Sequence, residues 1–238
     1  MIDRLAPRQR PSGPNDGTQR WESLLFCHWE IPVDKLRHLV PAELQLDTFA
    51  GKAYVGLVPF RMRQIRPKWL PRSLALNFLE TNVRTYVIYR GRPGVYFFSL
   101  DANSRLAVTA ARLGWALPYY QATMSFSDTD QQRSYLSYRR GGLARHQVTY
   151  QLGSPLGVAA EQTLEFFLLE RYLLYVRRRG RIHCGQVHHS PYQISTATVS
   201  AIDPPLVTAA GLPDVAGIAP LAHFCPGVDV EVFGIQPV

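Results

Sequence analysis

Hydrophobic and polar side chains alternate most regularly between residues 77 and 89, which predicts a β-strand with two different faces. The side chains that share one face of this predicted strand are Phe78, Glu80, Asn82, Arg84 and Tyr86. A turn with glycine and proline at 91–94 leads to an apolar run at 95–100, so the two strands form a hairpin. Further strands are predicted at 21–31, 52–65, 119–127, 132–140, 145–152, 171–178, 181–189, 193–202, 220–225 and 228–235.

Helical periodicity is limited to short segments. Residues 33–40 and residues from about 104 to 115 place apolar side chains on one side of a helix. Shorter helices are predicted at 161–169 and 205–211. Short strands joined by turns, without regular alternation of strand and helix, predict a mostly β fold with a few short helices. Its antiparallel sheet bends into a barrel or a sandwich.

The chain length alone allows one large domain or two small ones. A domain of 238 residues can bury a sizeable core without disulfides. Residues 1–18 contain several prolines, glycines and arginines and are interpreted as a flexible arm, with residues 19–238 as the single domain. No apolar run reaches the length of about 18 residues that a transmembrane helix needs. The sparse cysteines fit a reducing compartment, so a cytoplasmic location is predicted.

The charge balance is basic and depends on arginine. The chain has 26 basic and 18 acidic residues, a net charge of +8, and its only lysines are Lys35, Lys52 and Lys68. A basic surface attracts nucleic acid, anionic lipid or acidic ligands. Nucleic acid is not favoured, because no zinc-finger spacing and no aromatic RNA-binding signature accompanies the arginines. The favoured interpretation of the dispersed arginines is a basic face exposed to solvent.

A metal site is not predicted, and neither is a cofactor. Histidine and cysteine are concentrated at His183, Cys184, His188 and His189, but on a strand these side chains do not all face one side. His28 lies between Cys27 and Trp29 and is interpreted as a core histidine.

Three segments carry a family resemblance. They are residues 44–60, with Tyr54-Val55-Gly56-Leu57-Val58-Pro59-Phe60, residues 78–102, and Phe167-Leu168-Leu169-Glu170-Arg171-Tyr172. Together they resemble the uncharacterised DUF2071 (YqjF-like) family, which is in turn similar to acetoacetate decarboxylase. The resemblance implies an antiparallel, barrel-like sheet that encloses a ligand cavity. It also allows for a homo-oligomer.

The resemblance also shows what this chain lacks. Acetoacetate decarboxylase forms a Schiff base through a lysine amine that is kept neutral by its surroundings. The Pro-Lys-Lys triplet of that family corresponds here to Pro118-Tyr119-Tyr120, and a phenol cannot form an imine. One acidic residue of the decarboxylase site corresponds to Glu80 and a second to Gly56. The scaffold is therefore expected to persist without imine chemistry.

The candidate site combines the predicted strand with the tyrosines at the lysine position. Glu80 and Tyr119 are the predicted catalytic residues, acting as proton donors or acceptors. The predicted ligand-binding residues are Arg84, Tyr86, Tyr120 and Tyr172. Arg84 would grip a carboxylate bidentately. The leading hypothesis is a small, acidic organic ligand and, if the protein is an enzyme, acid–base chemistry.

Two alternatives remain open. The first is a Schiff-base lyase that uses a displaced lysine, although all three lysines are expected to face solvent. The second is a non-catalytic interaction protein that uses its arginine-rich surface on an anionic partner.

Overall fold

The structure is a computed structural model that describes residues 2–115, 117–129, 132–142 and 144–238. These residues form one twelve-stranded sheet and four short α-helices. In chain order the elements are β1 (Gly17–Ile31), α1 (Val33–Arg37), β2 (Gln45–Leu46), β3 (Ala53–Pro67), β4 (Leu76–Tyr89), β5 (Arg92–Ala102), α2 (Arg105–Trp115), β6 (Tyr119–Asp128), β7 (Arg133–Arg139), β8 (Arg145–Val158), α3 (Leu164–Leu169), β9 (Leu173–Arg178), β10 (Arg181–His188), β11 (Gln193–Asp203), α4 (Pro205–Ala209) and β12 (Leu221–Pro237).

The sheet is ring-like. Its strands follow the spatial order β10-β9-β5-β6-β7-β8-β11-β12-β1-β3-β4-β2, and β10 also pairs with β12 and β5 with β4. The additional pairings close a ring that consists of β1, β3, β4, β5, β9, β10 and β12. Strands β6, β7, β8 and β11 form a second connection from β5 to β12. Closing the sheet in this way pairs backbone groups that an open edge would expose.

Most strand pairs are antiparallel, as predicted, but β5 runs parallel to β6 and to β9. A parallel pair cannot be joined by a tight turn, and α2 provides the crossover from β5 to β6. The prediction of a mostly β fold with a few short helices is confirmed. The two parallel pairings are the feature that a count of strands and turns does not reveal.

Strand β4 has both faces covered. Its Tyr86 face belongs to an apolar cluster with Phe26 of β1, and its Val83 face belongs to a second cluster with Leu25. Helix α3 covers the Tyr86 face, since the hydroxyl of Tyr86 donates to the carbonyl of Leu168 over 3.0 Å. The polar side chains on this face of β4 are therefore buried.

The predicted arm lies against the domain. Arg4 donates two hydrogen bonds to Asp47, at 2.6 and 2.7 Å, and Arg10 pairs with Glu231 at 2.6 Å. The first strand begins at Gly17, within the predicted arm. The division into an arm and a domain stays a prediction.

Candidate functional site

A buried pair formed by a carboxyl and a phenol joins β4 to β6. The hydroxyl of Tyr119 donates to Glu80 Oε2 over 2.7 Å, and both side chains are buried. Strand β5 lies between the two strands, and its residue opposite Glu80 is Ala102. Because alanine carries only a methyl group, the ring of Tyr119 can reach across β5. The structure thus brings together the two predicted catalytic side chains.

Burial controls the protonation of this pair. It raises the pKa of Glu80 to about 7, against the opposing effect of the hydrogen bonds from Tyr119 and Asn82. The pKa of Tyr119 lies well above its ordinary value because of burial and the adjacent Glu80 carboxylate. A carboxyl with a pKa near 7 is present in both protonation states at neutral pH, as a general acid or base requires. Tyr119 remains a protonated donor.

Tyr120 lies apart from this pair. Adjacent residues of a strand point to opposite faces, so Tyr120 faces away from Glu80 and is partly exposed. The guanidinium of Arg139 stacks 3.9 Å from the centre of its ring and binds both carboxylate oxygens of Asp101, at 2.6 and 3.0 Å. The structure gives Tyr120 a contact with a buried ion pair and not with the candidate site.

Arg84 is a buried cation on the same face of β4 as Glu80. Its side chain borders the ring of Phe26, with 5.5 Å between the guanidinium carbon and the ring centre. Its one hydrogen bond among the described residues is a long contact of 3.4 Å from Nη2 to the carbonyl of Leu168, and its Nε has no partner. Within the part of the chain that the structure describes, no carboxylate pairs with it. A buried charge without a counterion is costly, so this position favours an anion.

Tyr86 and His28 continue the polar face towards β1. His28 Nε2 lies 2.7 Å from the hydroxyl of Tyr86, which donates to the carbonyl of Leu168. Since that hydroxyl has a single proton, His28 must donate from Nε2, and its Nδ1 is an acceptor. Burial and the charge of Arg84 hold the pKa of His28 well below its ordinary value. His28 is thus neutral at pH 7.

Gly56 explains why this histidine fits. It pairs with His28 on β1 and with Arg84 on β4. A Cβ at this position would lie 3.1 Å from the imidazole of His28 and 3.4 Å from the hydroxyl of Tyr86. The imidazole therefore occupies the space beside the position where the resemblance implies a second acidic residue. A histidine between two apolar residues carries no sequence signal for this role.

Among the described residues, three polar atoms on or beside this face of β4 have no hydrogen-bond partner. They are His28 Nδ1, Asn82 Oδ1 and Arg84 Nε, two acceptors and one donor. Asn82 lies between Glu80 and Arg84 on their common face of β4. Buried polar groups are normally satisfied. These unsatisfied groups are available to hydrogen-bond with a polar ligand or with water.

Tyr172 belongs to a neighbouring cluster. Its hydroxyl donates to Glu170, and its ring stacks on His189 with 4.5 Å between ring centres. On its other side His189 contacts Tyr192, which in turn contacts Phe26. Tyr172 is therefore connected to the Arg84 region through intervening aromatic rings, and through Glu170, which also accepts a hydrogen bond from the amide of Tyr192.

A buried ion pair lies next to the ring of Tyr86. Arg171 donates to Asp47 over 2.7 Å and to the carbonyl of Phe167 over 2.6 Å. Its guanidinium lies 5.0 Å from the ring centre of Tyr86. Asp47 thus connects Arg171 to Arg4 of the N-terminal segment.

The lysines lie outside this region. Lys35, Lys52 and Lys68 are all exposed, and Lys52 pairs with Glu30 at 2.8 Å.

Open surface hollows of about 700 and 760 Å³ lie beside α1 and beside β7 and β8, respectively. Among the described residues, no three histidine, cysteine or acidic side chains are grouped so that they could hold a metal ion. None of the helices described is long and apolar enough to cross a membrane.

The ring-like sheet defines an acetoacetate decarboxylase-like fold. The acetoacetate decarboxylase of Legionella pneumophila superposes with a TM-score of 0.66 at 14% identity, covering 98% of this chain and 91% of its own. The enduracididine biosynthesis enzyme MppR, solved in complex with pyruvate, gives a TM-score of 0.66 at 10% identity over 96% of this chain and 93% of its own. At these identities the similarity establishes the fold.

Sequence comparison identifies the family. The model of DUF2071, an uncharacterized conserved protein family, matches residues 18–229. The uncharacterized protein YqjF of Bacillus subtilis (strain 168) is 37% identical over 220 residues, which are 89% of this chain and 88% of YqjF. The chain belongs to the DUF2071 family, and the resemblance seen in the sequence is confirmed.

Proposed function

We propose that this protein binds a small organic acid inside its ring-like sheet, with the carboxylate held by Arg84. The observation that carries this proposal is a buried guanidinium that lacks a carboxylate partner among the described residues. Arginine matches the geometry of a carboxylate through two parallel hydrogen bonds. Because Arg84 and Glu80 are both buried, neighbouring side chains must move apart to admit the ligand.

The Glu80–Tyr119 pair supplies proton chemistry to the bound acid. Glu80 and Arg84 are four residues apart, about 13 Å along the strand, and they share one face of β4 with Asn82 between them. The ligand is proposed to lie along this face, with its carboxylate at Arg84 and its reacting carbon at Glu80. Glu80 takes up or returns a proton there. Once Glu80 carries the proton it donates to the oxygen of Tyr119, and the Tyr119 hydroxyl is then free to donate to the ligand oxygen that gains charge.

Two structural neighbours support this ligand class. MppR was solved with pyruvate, and acetoacetate decarboxylase is named for a keto acid. Keto acids combine a carboxylate with a carbonyl that stabilises negative charge on the neighbouring carbon. Because the three lysines are exposed, the proposed chemistry is non-covalent. Borohydride treatment with pyruvate should therefore leave the protein mass unchanged, whereas a stable adduct would favour the Schiff-base alternative.

Arg84→Gln is expected to weaken binding of pyruvate and acetoacetate about 10-fold to 100-fold, because a hydrogen-bonded charge pair is lost. Binding is measured by calorimetry or ligand-observed NMR. The matched control is Arg20→Gln, which removes one positive charge at the exposed pair with Asp229 and should leave affinity unchanged. Equal affinities for Arg84→Gln and the natural protein would contradict the proposal.

Glu80→Gln is expected to abolish proton exchange without abolishing binding. If Glu80 is the base, the natural protein in D₂O exchanges the methyl protons of pyruvate for deuterium, which proton NMR detects directly. The glutamine variant keeps the size of the side chain but cannot accept the proton. Absence of exchange with the natural protein, or equal exchange with both, would rule out the assigned role of Glu80.

A further inference from the structure

The loop between β3 and β4 exposes large apolar side chains. This segment, residues 68–75, is called the Trp69 loop below. Trp69 is 80% exposed and Leu74 is 61% exposed. Most tryptophans are largely buried because the ring is the largest apolar side chain. Two such side chains on one short loop therefore indicate a contact that the chain does not make by itself.

The charged side chains within the loop and on the strand residues that flank it in sequence are all basic, and the neighbouring carboxylate of Asp16 accepts a hydrogen bond from the amide of Gly234. Between Asp47 and Glu80 the sequence contains six basic residues and no acidic one. Arg66, Lys68 and Arg72 lie in or next to the Trp69 loop, and none of them pairs with a carboxylate among the described residues. The loop therefore combines apolar side chains with unneutralised positive charge.

The Trp69 loop is held in place by hydrogen bonds to the segments beside it. The amide of Lys68 donates to the carbonyl of Asp16 over 2.9 Å, and the guanidinium of Arg66 donates to the carbonyl of Leu70 over 3.1 Å. A single 3₁₀ turn at Arg72–Leu74 follows Pro71. Since the backbone is already fixed, little conformational entropy is lost when the loop binds a partner.

We propose that the Trp69 loop docks this protein on an anionic lipid surface. Tryptophan prefers the boundary between headgroups and acyl chains, where its ring meets hydrocarbon and its N–H meets water. Leu74 enters the same boundary. Lys68 and Arg72 then lie at the level of the lipid phosphates, where each basic residue adds to the attraction of an anionic membrane.

The small size of the apolar patch favours a lipid over a protein partner. One tryptophan and one leucine cover a few hundred Å² at most, whereas a stable protein interface buries about 800 Å² on each side. A lipid surface needs no shape complementarity, so two apolar side chains and several charges are sufficient for reversible binding. This contact is independent of the proposed organic acid site, because Trp69 lies in the exposed loop between β3 and β4 whereas Arg84 is buried on β4.

The experiment measures binding to vesicles. The natural protein should sediment with phosphatidylcholine vesicles that contain about 30% phosphatidylserine, much less with pure phosphatidylcholine, and less as salt increases. Trp69→Ser should reduce the partition coefficient about tenfold or more, and Lys68→Ala about fivefold. The fluorescence difference between the natural protein and Trp69→Phe should shift to shorter wavelength when vesicles are added.

The matched control is Leu106→Ser. Leu106 is 70% exposed on α2, outside the loop, and its loss should leave vesicle binding unchanged. Because Trp69 and Leu106 are both exposed, neither variant should lower the melting temperature. The proposal is overturned if phosphatidylserine does not promote binding, or if both variants reduce it equally. It is also overturned if the natural protein forms a dimer that Trp69→Ser dissociates, since a second copy would then cover the loop.

Discussion

Replacing Asp47 with asparagine is expected to destabilise the protein by about 3–5 kcal/mol. Asp47 accepts hydrogen bonds from Arg171, which is buried, and from Arg4. Asparagine keeps the shape of the side chain but removes its charge, so Arg171 retains a buried positive charge without a counterion. Burial already lowers the pKa of Arg171, and the Asp47 carboxylate opposes that effect. Urea unfolding followed by circular dichroism measures the loss.

Asp229→Asn is the matched control for this prediction. Asp229 also pairs with an arginine, Arg20, at 3.0 Å, but its side chain is 82% exposed. Water and salt screen such a pair, so its loss should change the free energy of unfolding by about 0.5 kcal/mol or less. A similar cost for both variants would mean that burial does not determine the strength of the Asp47 pair.

The second large effect is the pH dependence that Glu80 imposes on stability. The pKa of Glu80 is about 7 in the folded protein and 4.5 in its ordinary state. Between these pH values the unfolded chain releases the proton while the folded protein retains it. The contribution of Glu80 to the free energy of unfolding is therefore largest below pH 4.5, falls as the pH rises, and is lost above about pH 7. The difference corresponds to about 3 kcal/mol.

Comparison with Glu80→Gln isolates this contribution. Buried His146 and His189 have pKa values of about 4, and they act in the opposite direction because the unfolded chain binds their protons more readily. Taking the difference between the natural protein and the variant at each pH cancels the contributions of these histidines to stability. From about pH 4.5 to about pH 7.5, the variant should gain about 3 kcal/mol relative to the natural protein.

Glu30→Gln serves as the control, because Glu30 is an exposed carboxylate that pairs with Lys52. Its unfolding profile should run parallel to that of the natural protein over the same pH range. If the profile of Glu80→Gln is also parallel, Glu80 ionises in the folded protein as it does in water, and its role as a base at neutral pH is lost.

Local pattern was sufficient to predict β4 and its polar face. The pleat of a strand places every second side chain on one side, whatever surrounds it. The alternation from Phe78 to Tyr86 therefore predicted that Glu80 and Arg84 face the same side, and the structure agrees. The end of helix α1 was less predictable, since the helix stops at Arg37, whose guanidinium binds the carbonyls of Val40, Pro41 and Leu44.

The contacts between distant segments were not predictable from pattern. The resemblance implies that Tyr119 lies near Glu80. The sequence alone does not show which of the adjacent residues Tyr119 and Tyr120 points from β6 towards Glu80. The approach of His28 to Tyr86 depends on β1, β3 and β4 being neighbours in the ring. Helix α3 contributes through a backbone carbonyl, which leaves no trace in the identity of Leu168.

The sequence by itself determined the strands, the shared face of β4, the family and the presence of tyrosines where the resemblance implies a lysine, because each of these depends on local order or residue identity. Only the tertiary structure decided which groups are buried and which lack partners. Ring closure brings together residues as far apart as His28, Glu80 and Leu168 and removes them from water. Desolvation raises the pKa of Glu80 and leaves Arg84 without a carboxylate partner among the described residues. Because both effects come from folding, the proposed chemistry depends on the folded sheet.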